Sequence, residues 1–457
     1  MTKGNSNQTA GNQAQNWETP LSGLRRIREA ASRDRTAKFT SLMHHITEAL
    51  LRTSFYELKR DATPGIDEQT WYEYHQTLDT RLPDLHDRVQ GDRYRAQPSK
   101  RIYIPKPDGR QRPIGIAALE DKIVQRAVAR VMEQIYEEDF LGFSYGCRPG
   151  RGPHKGLDAI WVGIMRRKVN WILDADIRGF YDTLDHAWLM KFLSHRIADR
   201  RLLRLIGKWL RAGVSEEGQW SKTTVGTPQG AVISPLLANA FLHYVLDLWV
   251  QKWRHTHAKG DVIIVRYVDD FVLGFQYPWE AKQFLRDLKC RMGKFSLELH
   301  EEKTRLLEFG RFAARDRQLR GDSKPETFNF LGMTHICSET RTGGGFTVRR
   351  QPIAKRLGHK LQSIQARLYS IRHQPVAAQG LWLLQTVRGI FNYYAVPGTC
   401  EVLSVFRKQV SRSWLRALRR RSHKARGLTW KRMSRLLEKW LPAVRIMHPY
   451  PNVRLRV

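Results

Sequence analysis

Two adjacent carboxylates, Asp269 and Asp270, sit between two short apolar runs. Val262–Val265 leads through Arg266, Tyr267 and Val268 into the pair, and Phe271–Phe275 follows at once. Each run is short and rich in β-branched or aromatic residues, so the two form strands of a hairpin with the carboxylates at its tip. A polar turn would need no more than this. Against a bare turn stands the cost of holding two like charges beside core-type residues. A bound divalent cation removes that cost, and Mg²⁺ prefers carboxylate oxygen. A further strand, Trp171–Ile177, carries Asp174 and Asp176, two apart and therefore on one face. One strand carboxylate plus the hairpin pair is a donor set for two-metal phosphoryl transfer. One ion activates an attacking 3′ oxygen and the other steadies a leaving pyrophosphate.

The rest of the chain must bring these groups together and hold a partner. At 457 residues the length suits two to four domains, and 41% hydrophobic content is enough for real cores. Lys and Arg number 78 against 44 Asp and Glu, a net charge of +34 that calls for a polyanionic partner. The excess is uneven. Residues 349–457 hold 24 Lys and Arg and only Glu401 and Glu438, so +22 of it lies in the last quarter. No apolar run reaches the length of a membrane-spanning helix, and the N-terminus lacks the apolar segment of a signal peptide. The four cysteines, Cys147, Cys290, Cys337 and Cys400, are far apart and form no C-x-x-C pair, which argues against structural zinc and fits a reducing cytoplasm.

Residues 1–16 have the composition of a disordered tail. Helical patterns fill residues 21–60, and Thr63-Pro64-Gly65-Ile66-Asp67 is a turn leading into a helix. Ser99–Ile116 alternates on both sides of Pro107-Asp108-Gly109, a hairpin bearing Arg101, Lys106, Arg110 and Arg112. Its cations suit either a triphosphate or a solvated sheet edge. Ser144–Lys155 is a Gly- and Pro-rich loop whose Arg148 and Arg151 can reach a backbone phosphate. His186–Leu193 and Arg201–Leu210 are helices with no evident chemistry. Gly226–Gly230 is a turn opening a helix over Ala231–Val245, and Gln229 at that start can hydrogen-bond a base or a sugar. Phe309–Lys324 is a charged loop. From Pro352 onward the pattern is helical, over 353–371, 379–394, 402–421 and 430–440. Arg407–Arg426 is nearly one-signed and would repel itself without a polyanion. Arg412, Arg416, Arg419, Arg420 and Lys424 there are the candidate RNA contacts.

Three stretches, in order, carry a resemblance. Asp176-Ile177-Arg178-Gly179-Phe180-Tyr181-Asp182 is similar to the first metal-binding motif of reverse transcriptases, GTPQGAVISPLLAN at Gly226–Asn239 to the motif that follows it, and Tyr267-Val268-Asp269-Asp270 to their YxDD signature. From about residue 40 to the C-terminus the chain resembles the reverse transcriptase-maturases encoded by bacterial group II introns, of the type lacking an endonuclease domain. The resemblance implies an α+β right-hand polymerase with a helical thumb and a basic helical appendage. It implies a division into 1–20 tail, 21–98 N-terminal extension, 99–345 fingers and palm, 346–404 thumb or maturase domain X, and 405–457 basic nucleic-acid-binding region. It selects Asp176 over Asp174 as the partner of Asp269 and Asp270 in holding two Mg²⁺. Lys106 and Arg112 match the residues that grip the triphosphate of an incoming dNTP, Tyr181 the ring that excludes a ribose 2′-OH, and Lys303 a lysine near the leaving pyrophosphate. Phe328–Thr334 resembles the primer grip, and Gly389–Tyr394 the GxxNYY element of domain X.

The implied activity is RNA-directed DNA synthesis by a maturase that binds its group II intron RNA, aids its splicing and copies it into target DNA, in a bacterial cytoplasm and at the nucleoid during mobility. Three other readings share parts of this pattern. A free-standing reverse transcriptase recruited for repair or defence would carry every motif. A pure splicing factor commonly loses the carboxylates kept here. A viral RNA-copying RNA polymerase is disfavoured by Tyr181 and by the Tyr of the YxDD box.

Overall fold

The computed structural model describes residues 22–105, 109, 111–216, 219–221, 225–227, 230–340 and 343–455. The expected tail over residues 1–20, Lys106 and Gln229 lie outside the described residues.

The chain opens with helices α1 (residues 22–33), α2 (Glu48–Glu57), α3 (Trp71–Gln76) and α4 (Leu78–Gln90). Local chemistry sets their starts. The Thr47 hydroxyl accepts from Leu50 N, and Thr70 with Glu73 closes a reciprocal capping box. The hairpin of β1 (Ser99–Pro105) and β2 (Gln111–Ile116) leads into α5 (Leu119–Asp139), whose first N–H donates to Asp67 Oδ2 at 2.8 Å. The Thr63–Asp67 turn therefore caps a helix 52 residues away rather than its own.

Next come α6 (Pro153–Arg166), β3 (Trp171–Asp176), the short α7 (Phe180–Thr183), α8 (His186–Leu193), α9 (Arg200–Arg211), and the strands β4 (Val214–Glu216) and β5 (Gln219–Ser221). A long helix follows in two parts, α10 (Ser234–Leu242) and α11 (Leu248–Thr256), joined through a π-helical turn, His243–Asp247. β6 (Val262–Tyr267) and β7 (Asp270–Phe275) are the expected hairpin. Then follow α12 (Pro278–Gly293), β8 (Arg305–Glu308), α13 (Ala313–Leu319), and the strands β9 (Phe328–Phe330), β10 (Met333–Glu339) and β11 (Phe346–Pro352). α13 occupies much of the segment expected to be a charged loop. The chain closes with α14 (Ala354–Ser370), α15 (Val376–Tyr394), α16 (Cys400–Arg419), α17 (Trp430–Trp440) and α18 (Pro451–Arg454).

Three sheets result, in strand orders β2-β1-β4-β5, β6-β7-β3-β8 and β11-β10-β9. The second is antiparallel throughout and central. The alternation of its side chains builds a core on each face. Leu173, Ala175, Phe271 and Leu273 point into a core shared with α2, α4, α5 and α10. Ile172, Val265, Val272 and Leu307 point into a second core shared with α6 and with α14 to α17. This is a mixed α and β architecture.

The expected boundaries at 345/346 and 404/405 do not follow these elements. The first separates β11 from β10, its antiparallel partner. The second falls inside α16, where Leu403, Phe406, Val410 and Trp414 form one continuous buried stripe. The C-terminal helices are packed as part of the second core. Among the described residues no helix is long and apolar enough to cross a membrane.

His335, on β10, stacks on Phe328 at 4.5 Å and is fully buried. Burial pushes it down to about 3. Between that value and the ordinary 6.5 the unfolded chain binds a proton that the folded chain refuses, so acidification removes stability. His335→Phe should recover about 2 kcal/mol of what is lost between pH 7.5 and pH 5. Urea titrations at both pH values measure this, and an unchanged loss in the variant would refute it.

Candidate active site

Strand register brings the carboxylates together. β3 lies against β7 with Asp176 opposite Asp270 and Asp174 opposite Val272. Tyr267 faces Asp270 from β6, and Val268 and Asp269 make the two-residue tip. Asp174, Asp176 and Asp270 thus share one face at one end of the sheet, with Asp269 beside them. Burial pushes Asp270 up to about 7, and repulsion from Asp174, Asp269 and Asp176 adds to it. Burial also raises Asp269, again with Asp176 adding. Two cations partly offset this crowding: Lys303 is ion-paired with Asp176, and Arg305 reaches Asp174 at 3.7 Å. Arg356, at the start of α14, brings a further positive charge within reach of Asp270.

The donor set is all carboxylate, which suits a hard cation. Among the described residues no three His, Cys, Asp or Glu side chains are grouped so as to hold a metal ion by themselves. Mg²⁺ does not need such a group, because it is commonly held by one or two carboxylates and fills its shell with water and substrate phosphate. The residual repulsion at Asp270 is what such an ion would relieve.

The hairpin tip is held from below by a buried polar network that the sequence did not disclose. Val268 has φ of 59°, a backbone state that costs a β-branched residue about 1–3 kcal/mol. Arg266 compensates. Its Nη1 donates to Val268 O and to Asn239 Oδ1, both at 2.9 Å. Its Nε and Nη2 donate to the two oxygens of Asp247 at 2.7 and 2.6 Å, and Nη2 also to Ser144 Oγ at 2.8 Å. Arg266, Asn239, Asp247 and Ser144 are fully buried. Asn239 Nδ2 donates in turn to Gly146 O. Gly146 is required for space, since a Cβ there would lie 2.5 Å from Val268 N. The π-helical turn between α10 and α11 ends on Asp247. The available signal was a lone acid inside an otherwise apolar helix.

A cleft of about 880 Å³ opens over the acidic end. Arg112, Asp176, Phe180, Asp269 and Lys303 are among the residues lining it. Arg112 comes from β2, so the first sheet forms one wall. Phe180 is buried core, whereas Tyr181 is half-buried and within electrostatic reach of Asp269 and Arg112. Gly226 and Thr227 run along the backbone of this segment. Thr227 N donates to Tyr181 O at 2.8 Å, and a Cβ on Gly226 would lie 2.8 Å from that same oxygen.

The expected phosphate contacts divide. Arg148 is buried, and its guanidinium is taken up by Glu137, Leu141 O and Ser144 O. The expectation that it reaches a nucleic-acid phosphate is corrected: a loop composition suggested exposure, but Glu137 on α5 draws the side chain inward. Arg151 is half-buried over Tyr145 and donates to Gly142 O. Arg412, Arg416, Arg419, Arg420 and Lys424 are exposed along and just beyond α16. Trp414, interleaved with them in sequence, is core and donates to Gln379 Oε1.

The family model described as Reverse transcriptase (RNA-dependent DNA polymerase) matches residues 104–335, about half of the chain. "Protein YkfC" of Escherichia coli (strain K12) is 34% identical over 275 residues, which is 53% of this chain and 72% of that protein. "Group II intron-encoded protein LtrA" of Lactococcus lactis subsp. cremoris is 26% identical over 452 residues, covering 80% of this chain and 71% of the relative. "Putative COX1/OXI3 intron 1 protein" of Saccharomyces cerevisiae is 30% identical over 226 residues, 49% of this chain and 25% of the relative. The chain belongs to the reverse transcriptase (RNA-dependent DNA polymerase) family, among the group II intron-encoded reverse transcriptase/maturases.

Proposed function

We propose that this polymerase binds its own group II intron RNA, aids its splicing and copies it into DNA at a target site during retrohoming. The observation that carries the reading is the pairing of Asp176 with Asp270 across two strands, with Asp176 and Asp269 lining a cleft that Arg112 and Lys303 also line. In this reading the first two sheets and their helices are fingers and palm, and α14 to α17 are the thumb or maturase region.

Reverse transcriptases use divalent metal ions, and Asp176, Asp269 and Asp270 would hold two Mg²⁺. When bound, the ions supply charge for the attacking 3′ oxygen and the leaving pyrophosphate. The chain's own groups do the rest. Arg112, with Lys106, orients the triphosphate of a dNTP by charge-assisted hydrogen bonds. Tyr181 would lie under the sugar and leave no room for a 2′-OH, and Gln229 would hydrogen-bond a base or a sugar. Lys303, ion-paired with Asp176, would supply positive charge near the leaving pyrophosphate. Arg151 and the α16 cations Arg412, Arg416, Arg419 and Arg420, with Lys424, take RNA phosphates.

Two measurements test this. Primer extension on an RNA template should incorporate dNTPs far better than rNTPs, and a preference for rNTPs would overturn the DNA-synthesis assignment. RNA purified with the native protein should be one structured species with intron boundaries. A heterogeneous mixture would instead favour a free-standing reverse transcriptase.

A further inference from the structure

A second basic hollow lies outside the cleft and shares no lining residue with it. α9 buries Leu202, Leu205, Ile206, Trp209 and Leu210. It turns Arg200, Arg204, Lys208 and Arg211 outward at three- and four-residue spacing, which makes one stripe. The segment after α4 is clamped against its last turns. Trp209 Nε1 donates to Tyr94 Oη at 3.1 Å, and Lys208 Nζ donates to Tyr94 O at 3.0 Å. Tyr94 is buried, while its neighbours Arg93 and Arg95 are exposed.

A hollow of about 640 Å³ results, lined by Arg93, Arg95, Lys208 and Arg211 with Asp92, Tyr94 and Ala96. Asp92 is the one acid in that lining, and it is already paired with Lys208 at 2.8 Å and Arg204 at 3.3 Å. Among the described residues Arg93, Arg95, Arg200 and Arg211 have no acidic partner within ion-pair distance. Unpaired guanidinium groups gathered on one surface repel each other unless a polyanion covers them. The hollow is open and broad, which suits a continuous backbone rather than one small anion. Its aromatic ring is turned inward, so it offers no stacking platform for unpaired bases.

We propose that this surface binds the phosphate backbone of a base-paired region of structured RNA. The inference rests on the intron-RNA reading above and adds a location to it. The RNA partner is held here while a template and primer occupy the cleft, so binding the partner and copying a template do not compete.

The test uses full-length protein carrying Arg93→Ala, Arg95→Ala and Arg211→Ala together, with Arg93→Glu/Arg95→Glu as a second variant outside the helix. The probes are an RNA duplex longer than two helical turns and its DNA counterpart, each titrated over a range of salt with a short template–primer bound in the cleft. Loss of three phosphate contacts should weaken RNA-duplex binding about 10- to 100-fold at physiological salt. It should also make the slope of log affinity against log salt shallower by about two to three. Primer extension on the short template–primer should stay at the wild-type rate. Unchanged RNA affinity and slope would overturn the proposal. An equal loss for the DNA duplex would overturn the RNA assignment in favour of a target-DNA surface. A parallel loss of primer extension would make the hollow part of the polymerase site and would also overturn it. Failure of the intron-RNA reading is separable, because it appears as heterogeneous RNA carried by the wild-type protein, whatever the variants do.

Discussion

Asp269→Ala is expected to abolish primer extension, by roughly 10³-fold or more, the scale on which losing a charge-handling group in a water-poor site is felt. The same substitution should not weaken the fold. Asp269 is raised by burial and by the charge of Asp176, so its ionised form is held at a cost. Removing the carboxylate relieves that cost, and the metal-free protein should melt at the same temperature or higher. Affinity for structured RNA should be unchanged, since the candidate RNA contacts on α16 and α9 lie elsewhere in the chain. Opposite signs in activity and stability are what distinguish a functional carboxylate from a structural one. A variant that still extends primers at the wild-type rate would remove Asp269 from the metal site. A variant that loses both activity and several degrees of melting temperature would make it a fold residue.

The elements that carry this site are legible in the sequence. The β6–β7 hairpin follows from two short apolar runs bracketing a polar tip, and the helices over 186–193 and 430–440 follow from periodicity alone. Pairing was not legible. Nothing local in Trp171–Ile177 says that it lies beside β7 with Asp176 opposite Asp270, a contact 94 residues apart in sequence. Only the order of three motifs suggested it. The inward turn of Arg148 was not legible, because Gly and Pro mark a loop without saying which of its side chains turn inward. Residues 201–210 were legible as a helix without evident chemistry, because the meaning of the basic stripe on α9 depends on Arg93 and Arg95. These arrive from a segment over a hundred residues earlier. The expected 404/405 boundary falls inside α16 for a related reason: a rise in basic residues marks a surface, whereas the buried stripe of that helix runs on through Trp414.

Asp247 shows the same limit most sharply, and its replacement should have the second large effect. Asp247→Ala leaves the Arg266 guanidinium buried without its carboxylate, which costs about 3–5 kcal/mol, a large share of a typical domain's stability. This variant should be poorly folded, so its inactivity would say little. Asp247→Asn is the informative change, because it keeps the shape and an acceptor oxygen while removing the charge. Arg266 is then less firmly fixed, and so is its hydrogen bond to Val268 O, which holds the tip in its positive-φ state. A shift of about 1 Å in the reacting groups can cost about 10²-fold in rate. Primer extension should fall by about that factor with little change in RNA affinity. A paired apolar replacement, Asp247→Leu with Arg266→Met, separates the two roles. Buried ion pairs can be exchanged for apolar packing at little or no cost in stability. The double variant should therefore regain the melting temperature lost by Asp247→Ala, but not the activity, because Val268 O and Asn239 still lack their donor. Recovery of both would mean that the network only fills space beneath the tip. Recovery of stability alone would show that Arg266 and Asp247 fix the backbone on which Asp269 and Asp270 are carried.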